Sequence, residues 1–193
     1  ESSPGHVHKP LPSLFVYNLV IGYMKILLIE PYFTGSHKNW AKGLRKYSSH
    51  QIELFTLPGQ FWKWRMHGGA VTLARMFMES ELQPDLILTT DMLDLTIFLS
   101  LTRSRTANIP TAVYFHENQL SYPWSTTDRD VGEKRNVHYG FINYTTALTA
   151  DHVFFNSQYH MNSFLTEARK MLKHFPDHNE LETLKIITGK SSV

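Results

Sequence analysis

Residues 152–175, HVFFNSQYHMNSFLTEARKMLKHF, decide the fold because a short apolar run leads directly into an amphipathic pattern. The run HVFF (152–155) ends at Asn156 and Ser157, and a serine at this point can cap a helix. The apolar side chains that follow keep the i, i+3, i+4 spacing of one helical face: Met161, Phe164, Leu165, Ala168, Met171, Leu172 and Phe175. We therefore predict a strand, a polar turn and a helix whose methionines and phenylalanines belong to the core rather than to a cofactor site.

The same unit recurs earlier in the chain. Four further apolar runs, each followed by a segment with helical spacing, are KILLI (25–29), IELFTL (52–57), DLILT (85–89) and TAVYF (111–115). Near-continuous apolar runs are typical of strands that are covered on both faces. LKII (184–187) resembles one more short strand. Alternating strands and helices predict an α/β fold with a parallel sheet and right-handed crossovers, that is, a Rossmann-like domain.

The length and composition favour one domain. A chain of 193 residues with 42% hydrophobic side chains can bury one large core. We assign the domain to residues 24–188, between an unstructured extension (1–23) and an irregular tail (189–193). The apolar stretch 14–29 is interrupted by Asn18 and Lys25 and lacks a basic flank, so no membrane span is predicted.

The totals also exclude several kinds of site. The chain has no cysteine, which excludes a thiolate nucleophile and a cysteine-ligated zinc, and favours an intracellular protein. Its eleven histidines include no HExxH motif, and neither GxGxxG nor the P-loop pattern occurs. A net charge of +2 is too small to indicate a nucleic-acid partner without clustered cations.

Polar residues follow the predicted strands at the edge where open α/β sheets bind ligands. They are Gly35, Ser36 and His37 after the first run, Asp91 after the third, His116, Glu117 and Asn118 after the fourth, and Ser157 after the fifth. Gly35 and Ser36 precede a helix whose free N–H groups can hold an anion, although an ordinary capped turn is the better explanation of this pair on its own. A structural hydrogen bond is the alternative for His116, and a solvent-exposed loop charge is the alternative for Glu117.

The segment after the second run, PGQFWKWRMHGG, concentrates aromatic and cationic side chains. The aromatic side chains could stack on nucleobases while the cationic ones contact phosphates; the residues are Trp62, Lys63, Trp64, Arg65 and His67. Alternatively, the two tryptophans pack into the core while the cations point to water. Further along, the polar segment 125–136 is most simply a mobile surface loop or a lid over the site.

Six ordered blocks carry a resemblance to a known family. They are MKILLIEPYFTGSHKNWAKGL (24–44), FTLPGQFWKWRMHGGA (55–70), DLILTTDMLDL (85–95), FHENQLSYPW (115–124), HYGFINYTTALTAD (138–151) and FFNSQYHMNSF (154–164). Together they resemble the amino-terminal domain of the tRNA-queuosine α-mannosyltransferases, within glycosyltransferase family four. The similarity covers residues from about Met24 to about Ile187.

This resemblance implies the amino-terminal half of a GT-B glycosyltransferase, which is retaining and metal-independent. The donor would be the nucleotide sugar GDP-mannose, with no cofactor, and the acceptor would be queuosine in the anticodon of tRNA-Asp. His116 and Glu117 would be catalytic, and Gly35, Ser36, His37, Asn118 and Ser157 would serve the donor phosphates. Trp62, Lys63, Trp64, Arg65, His67 and Asp91 would contact the RNA. The location implied is the cytoplasm and also the nucleus, without membrane association.

The resemblance also implies what this chain lacks. In such enzymes a carboxy-terminal Rossmann-like domain binds the nucleotide sugar through an Arg/Lys pair and a Glu-x7-Glu motif, and Glu180 and Glu182 lack that spacing. We therefore expect little or no transfer by this chain alone. The main alternative is a catalytically silent tRNA-binding module. A hydrolase that uses His116 and Glu117 is disfavoured, because no nucleophile elbow or metal-ligand set accompanies them.

Overall fold

The structure is a computed structural model, and it describes residues 22–125, 128–132 and 137–193. The predicted extension therefore lies outside the described residues up to position 21, as do positions 126–127 and 133–136 of the polar segment predicted as a surface loop. In chain order the elements are β1 (Lys25–Phe33), α1 (Gly35–Tyr47), β2 (Gln51–Pro58), α2 (Trp62–Glu79), β3 (Leu86–Thr90), α3 (Leu95–Thr106), β4 (Thr111–Phe115), α4 (Arg129–Gly132), α5 (Val137–Thr149), β5 (His152–Phe155), α6 (Gln158–Lys173), α7 (Thr183–Gly189) and β6 (Ser191–Ser192).

The six strands form one sheet in the order β2-β1-β3-β4-β5-β6, and all neighbouring strands are parallel. This confirms the predicted α/β class and the Rossmann-like parallel sheet. The chain moves from β1 to β2 in one direction and then crosses to β3 on the other side of β1. Such a reversal opens a crevice at the carboxyl ends of the strands, which is where this fold class binds ligands.

Helices cover both faces of the sheet unequally. Successive side chains of a strand point to opposite faces, so Leu27 and Ile29 enter the larger core while Ile26 and Leu28 enter a smaller one. The larger core packs against α2, α3, α5, α6 and α7. The smaller core packs against α1, whose Ala41 is fully buried. The smaller core fixes the position of α1 over β1 and β2, and hence the position of its first turn at the carboxyl edge.

The end of the chain differs from the sequence-based expectation. The strand predicted for residues 184–187 is wrong, because these residues lie in α7. Leu184 and Ile187 are buried while the two residues between them are exposed, which is a helical rather than a strand period. Within residues 189–193, predicted as an irregular tail, Ser191 and Ser192 pair with β5. Among the residues that the structure describes, no helix combines the length and apolar character needed to cross a membrane.

Two glycines of α1 give a matched stability prediction. Gly35 begins the helix at φ +50, where an L side chain is strained, whereas Gly43 lies within the helix and has open space where an alanine methyl group would lie. We expect Gly35→Ala to destabilise the fold by about 1 kcal/mol and Gly43→Ala to stabilise it by about 0.5–1 kcal/mol. Urea unfolding of both variants measures these changes. Equal signs for the two substitutions would contradict the assigned backbone of α1.

Candidate functional site

Five titratable side chains converge at the carboxyl edge of the sheet, and we call them the polar cluster. They are Glu30 in β1, His37 in the first turn of α1, Asp91 directly after β3, and His116 and Glu117 directly after β4. Because parallel strands end at the same edge, residues far apart in sequence meet here. The sequence predicts four of these residues from their positions after strands, and the structure brings these four together with Glu30.

Glu30 and His37 form the base of the polar cluster. Glu30 is fully buried, and its Oε2 lies 2.9 Å from Nδ1 of His37, which is itself buried. The other carboxylate oxygen of Glu30 accepts a hydrogen bond of 2.8 Å from the backbone N–H of Tyr32. Burial by itself lowers the pKa of His37, but the hydrogen bond to Glu30 and the negative charges of Asp91, Glu30 and Glu117 outweigh it and raise this pKa to about 8. His37 is therefore mainly an imidazolium near neutral pH.

His116 is held from several sides. Its backbone N–H donates to Oδ1 of Asp91 at 2.8 Å, and its carbonyl oxygen accepts from Nδ2 of Asn156 at 2.8 Å. Its ring lies 4.2 Å from the ring of His37 and packs edge-on against Trp40, at 4.9 Å between ring centroids. Burial and the positive charge of His37 lower the pKa of His116 to about 3. His116 is consequently a neutral imidazole in a fixed orientation.

Asp91 and Glu117 complete the polar cluster. Asp91 is buried, and burial raises its pKa to about 7 against the opposing effect of His37 and of the His116 N–H. Burial likewise raises the pKa of Glu117, which is half-buried. Oδ2 of Asp91 and Nε2 of His116 are both withdrawn from solvent and have no hydrogen-bond partner among the described residues. Unpartnered buried polar atoms are rare in folded proteins and indicate a place that water or a ligand completes.

Titration of the two imidazoles tests this electrostatic arrangement. In NMR spectra we expect the His37 ring to titrate near pH 8. The His116 ring is expected to stay neutral from about pH 5 to 9, since its pKa lies far below its usual value. Because the folded-state pKa of His37 is raised, its contribution to stability, on the order of 2 kcal/mol, is complete below pH 6.5 and is lost as the pH rises through about 8.

The control for this titration is Glu30→Gln, which removes the negative partner and keeps the shape of the side chain. The pKa of His37 is expected to fall in this variant, because burial lowers this pKa and the hydrogen bond and negative charge of Glu30 no longer raise it. A His37 ring that titrates below pH 6.5 in the unaltered chain would show that the Glu30–His37 pair is not formed.

Two of the predicted phosphate ligands accept hydrogen bonds from the local backbone. Oδ1 of Asn118 accepts hydrogen bonds from the backbone N–H groups of Leu120 and Ser121 at 3.1 and 3.0 Å, which closes the turn after β4. The hydroxyl of Ser157 accepts from the His160 N–H at 3.2 Å, so the predicted helix cap is confirmed. Both side chains shape the loops around the polar cluster and have less capacity left for a ligand.

The first turn of α1 leaves backbone donors available. Its N-cap residue, Thr34, makes no side-chain cap hydrogen bond, and Gly35 and Ser36 are exposed. The N–H groups at the start of a helix carry the positive end of the helix dipole and can bind an anion. These donors lie beside His37, so an anion bound here would adjoin the polar cluster.

The predicted RNA-contacting residues differ in their exposure. Five of them lie in the first turns of α2, and one of these, Trp62, packs against Trp124 and Tyr139, at 5.4 and 5.1 Å between ring centroids. Trp64, in contrast, is 62% exposed. The structure therefore combines the two interpretations of this segment, with one tryptophan half-buried against a core cluster and the other at the surface.

The cations of the same segment have protein partners. Nζ of Lys63 lies 2.7 Å from Asp128 and 2.5 Å from Asp130, which belong to the polar segment 125–136. Nε of Arg65 donates to the carbonyl oxygen of Pro58 at 3.0 Å. Neither side chain is thus a free surface cation.

His67 lines an open cavity, whereas Asp91 is buried. His67 is half-buried and stacks on His138, at 4.6 Å between ring centroids, and burial lowers its pKa. Asp91 is buried within the polar cluster, where it accepts a hydrogen bond from the His116 backbone.

Tyr32 connects the polar cluster with the start of α2. It contacts the His37 ring edge-on and also packs against the core cluster that Trp62 contacts.

Several functional residues escape sequence reasoning. Glu30 directly follows an apolar run, and that position is its only signal. Asn143 donates from Nδ2 to the Asp91 carbonyl oxygen and accepts from the Gln119 N–H, both at 2.7 Å, so it ties two site loops together. Its helical sequence context gives no indication of this role.

Two sets of side chains in the polar cluster have the spacing to hold a metal ion. The first set is Glu30, His37 and His116, and the second set is His37, Asp91 and Glu117. In each set the potential ligand atoms lie within 4.8 Å of one another. Both sets require His37, whose raised pKa means that a metal ion must compete with a proton for its imidazole.

Comparison with known proteins agrees with the geometry. Residues 25–193 match the family model described as tRNA-queuosine alpha-mannosyltransferase N-terminal. The chain is 37% identical over 153 residues to a Drosophila melanogaster protein named tRNA-queuosine alpha-mannosyltransferase. This alignment covers 79% of the chain and 39% of the Drosophila protein. The chain thus belongs to the tRNA-queuosine alpha-mannosyltransferase N-terminal family.

Proposed function

We propose that this chain forms the acceptor side of a GT-B glycosyltransferase that moves mannose from GDP-mannose to queuosine in tRNA-Asp. The sugar would be joined with retention of configuration. The observation that carries this proposal is the polar cluster at the carboxyl edge, where buried atoms of Asp91 and His116 lack partners among the described residues. Family membership supports the reaction class. The cytoplasmic and nuclear location stays a prediction.

His116 suits contact with a reacting sugar because its ring is neutral. Glycosyl transfer develops positive charge on the sugar ring, so an imidazolium beside that ring would oppose the reaction. The lowered pKa of His116 keeps a hydrogen-bonding group without that charge. Packing against Trp40 and His37 fixes its orientation, which reduces the entropic cost of positioning a hydroxyl.

Glu117 suits the handling of a proton. The acceptor hydroxyl loses its proton as its oxygen bonds to the anomeric carbon, while the bond from that carbon to the diphosphate breaks. A carboxylate with a raised pKa is a stronger base than an ordinary one. Glu117 could hold the proton until it passes to the departing diphosphate.

The donor side requires further groups. Near neutral pH, His37 is the cationic side chain of the polar cluster, and it is already paired with Glu30. Within the described part of the chain, no lysine or arginine acts electrostatically on His37, Asp91, His116 or Glu117 strongly enough to shift a pKa there. A departing diphosphate needs cationic partners. We propose that a second domain supplies them, and that transfer proceeds without a metal ion.

Product analysis tests the stereochemistry and the metal requirement together. A chain that includes the second domain is incubated with GDP-mannose, queuosine-containing tRNA-Asp and excess EDTA, and the nucleoside product is examined by NMR. We expect an α-mannosyl product at the same rate with and without EDTA. A β-linked product would overturn the retaining mechanism, and a rate restored only by added metal would overturn metal independence.

A further inference from the structure

Four cations lie along one flank of α1. Lys38, Lys42, Arg45 and Lys46 are all exposed, and their spacing of i, i+4, i+7 and i+8 places them on neighbouring turns. At 1.5 Å per residue, this stripe of cations extends about 12 Å, from the turn next to Gly35 toward the other end of the helix. The chain as a whole has a net charge of only +2, but this stripe concentrates four positive charges on one helix.

The stripe borders a groove between α1 and the edge strand β2. Phe33, Lys42, Arg45, Lys46, Leu54 and Thr56 line this groove, which has a volume of about 570 Å³. We call it the α1 groove. Leu54 belongs to the core under α1, whereas its neighbour Phe55 enters the opposite core, so Glu53 also points away from the groove. No acidic side chain is among its lining residues in the described part of the chain.

Within the described ranges, these cations also lack the ion pairs that neutralise others. Arg75 pairs with Glu79, and Lys170 pairs with Glu167. For the α1 cations, the contacts found among the described residues are cation–π: Lys38 with Phe33 at 5.8 Å, and Lys46 with Tyr47 at 4.8 Å. Their positive field is therefore available to a partner.

We propose that the α1 groove binds the phosphate backbone of the RNA acceptor. This inference rests on the proposed function, which makes RNA the acceptor, and adds the surface that holds it. A row of lysines and arginine on a groove matches the repeating charge of a polynucleotide backbone. The stripe starts next to the first turn of α1 and thus leads toward the polar cluster. The groove contacts backbone rather than bases, so it does not distinguish queuosine-containing from queuosine-free tRNA.

The test compares two triple variants of the 193-residue chain with equal loss of charge. The groove variant, Lys42→Gln/Arg45→Gln/Lys46→Gln, removes the three cationic side chains that line the α1 groove. Glutamine is used because it has a high helix propensity. The control, Arg103→Gln/Arg169→Gln/Lys173→Gln, removes three exposed cations from α3 and α6. Affinity for tRNA is measured by fluorescence anisotropy over a series of salt concentrations, and circular dichroism establishes that each variant is folded.

We expect the groove variant to bind tRNA about 10–100-fold more weakly than the unaltered chain, with a salt slope smaller by about 2–3. The control is expected to change affinity less than about threefold, because distant surface charges are screened. Lys42→Arg/Lys46→Arg should retain binding. An equal loss of tRNA affinity in both triple variants, or no loss in the groove variant, would overturn the groove as the RNA-binding surface. Either result would leave the proposed function intact.

The unaltered chain is also tested against phosphatidylserine vesicles and polyglutamate. Binding to either one at least as tightly as to tRNA would overturn RNA as the occupant. Absence of all tRNA binding by the 193-residue chain would overturn the groove, whereas mannose transfer to tRNA by the longer enzyme tests the RNA acceptor and the reaction separately.

Discussion

Replacing His116 by alanine is expected to lower kcat/KM for mannose transfer about 10²–10³-fold in a chain that includes the second domain. The substitution removes a neutral, oriented imidazole whose Nε2 has no protein partner among the described residues. The loss should fall mainly on kcat, because a group that acts on the reacting sugar contributes more in the transition state than in the ground state. Steady-state kinetics with GDP-mannose and queuosine-containing tRNA measures it.

The matched control is His174→Ala, at an exposed position directly after α6. It removes the same side chain at a distance from the polar cluster and is expected to leave kcat and KM unchanged. Thermal unfolding of the His116 variant separates loss of chemistry from loss of fold. A folded His116→Ala enzyme with activity within about threefold of the unaltered one would exclude the proposed role.

Phe164→Ala is expected to destabilise the fold by about 3–5 kcal/mol. The Phe164 side chain is fully buried, and its ring packs against Phe115 and Phe155 at 5.1 and 5.4 Å between centroids. Its removal leaves a cavity beneath the two strands that lead into His116 and Asn156. Since small domains have a total stability of about 5–15 kcal/mol, this is a large part of the whole. Guanidinium unfolding monitored by circular dichroism measures the change.

Phe175→Ala provides the comparison for the core prediction. Phe175 also belongs to the apolar pattern that predicts the helix, but its side chain is 45% exposed. We expect a loss below about 1 kcal/mol. Similar losses for the two phenylalanines would mean that the apolar face of α6 is not oriented as the structure has it.

The sequence predicts the sheet well because its strands are short, apolar and separated by helical patterns. TAVYF and HVFF match β4 and β5 residue by residue. LKII fails because four residues are too few to separate a strand from one turn of helix, and the buried pair Leu184 and Ile187 fits α7.

The site is predicted less completely, because local pattern reveals position along a strand but not long-range pairing. Glu30 becomes a site residue only when α1 brings His37 to within 2.9 Å of it. Lys63 has the local context of a surface cation, but Asp128, 65 residues further along, binds it. Trp40 lies in α1, and its contact with His116 depends on how that helix lies on the sheet.

The most direct test of the central claim is transfer of labelled mannose from GDP-mannose to queuosine-containing tRNA-Asp. Two proteins are compared: the 193-residue chain alone, and a chain that continues through a second domain. We predict incorporation by the longer chain, none above background by the shorter one, and none by either with queuosine-free tRNA. Efficient transfer by the 193-residue chain alone would contradict the division into acceptor and donor sides. Absence of transfer by the longer chain would contradict the proposed reaction.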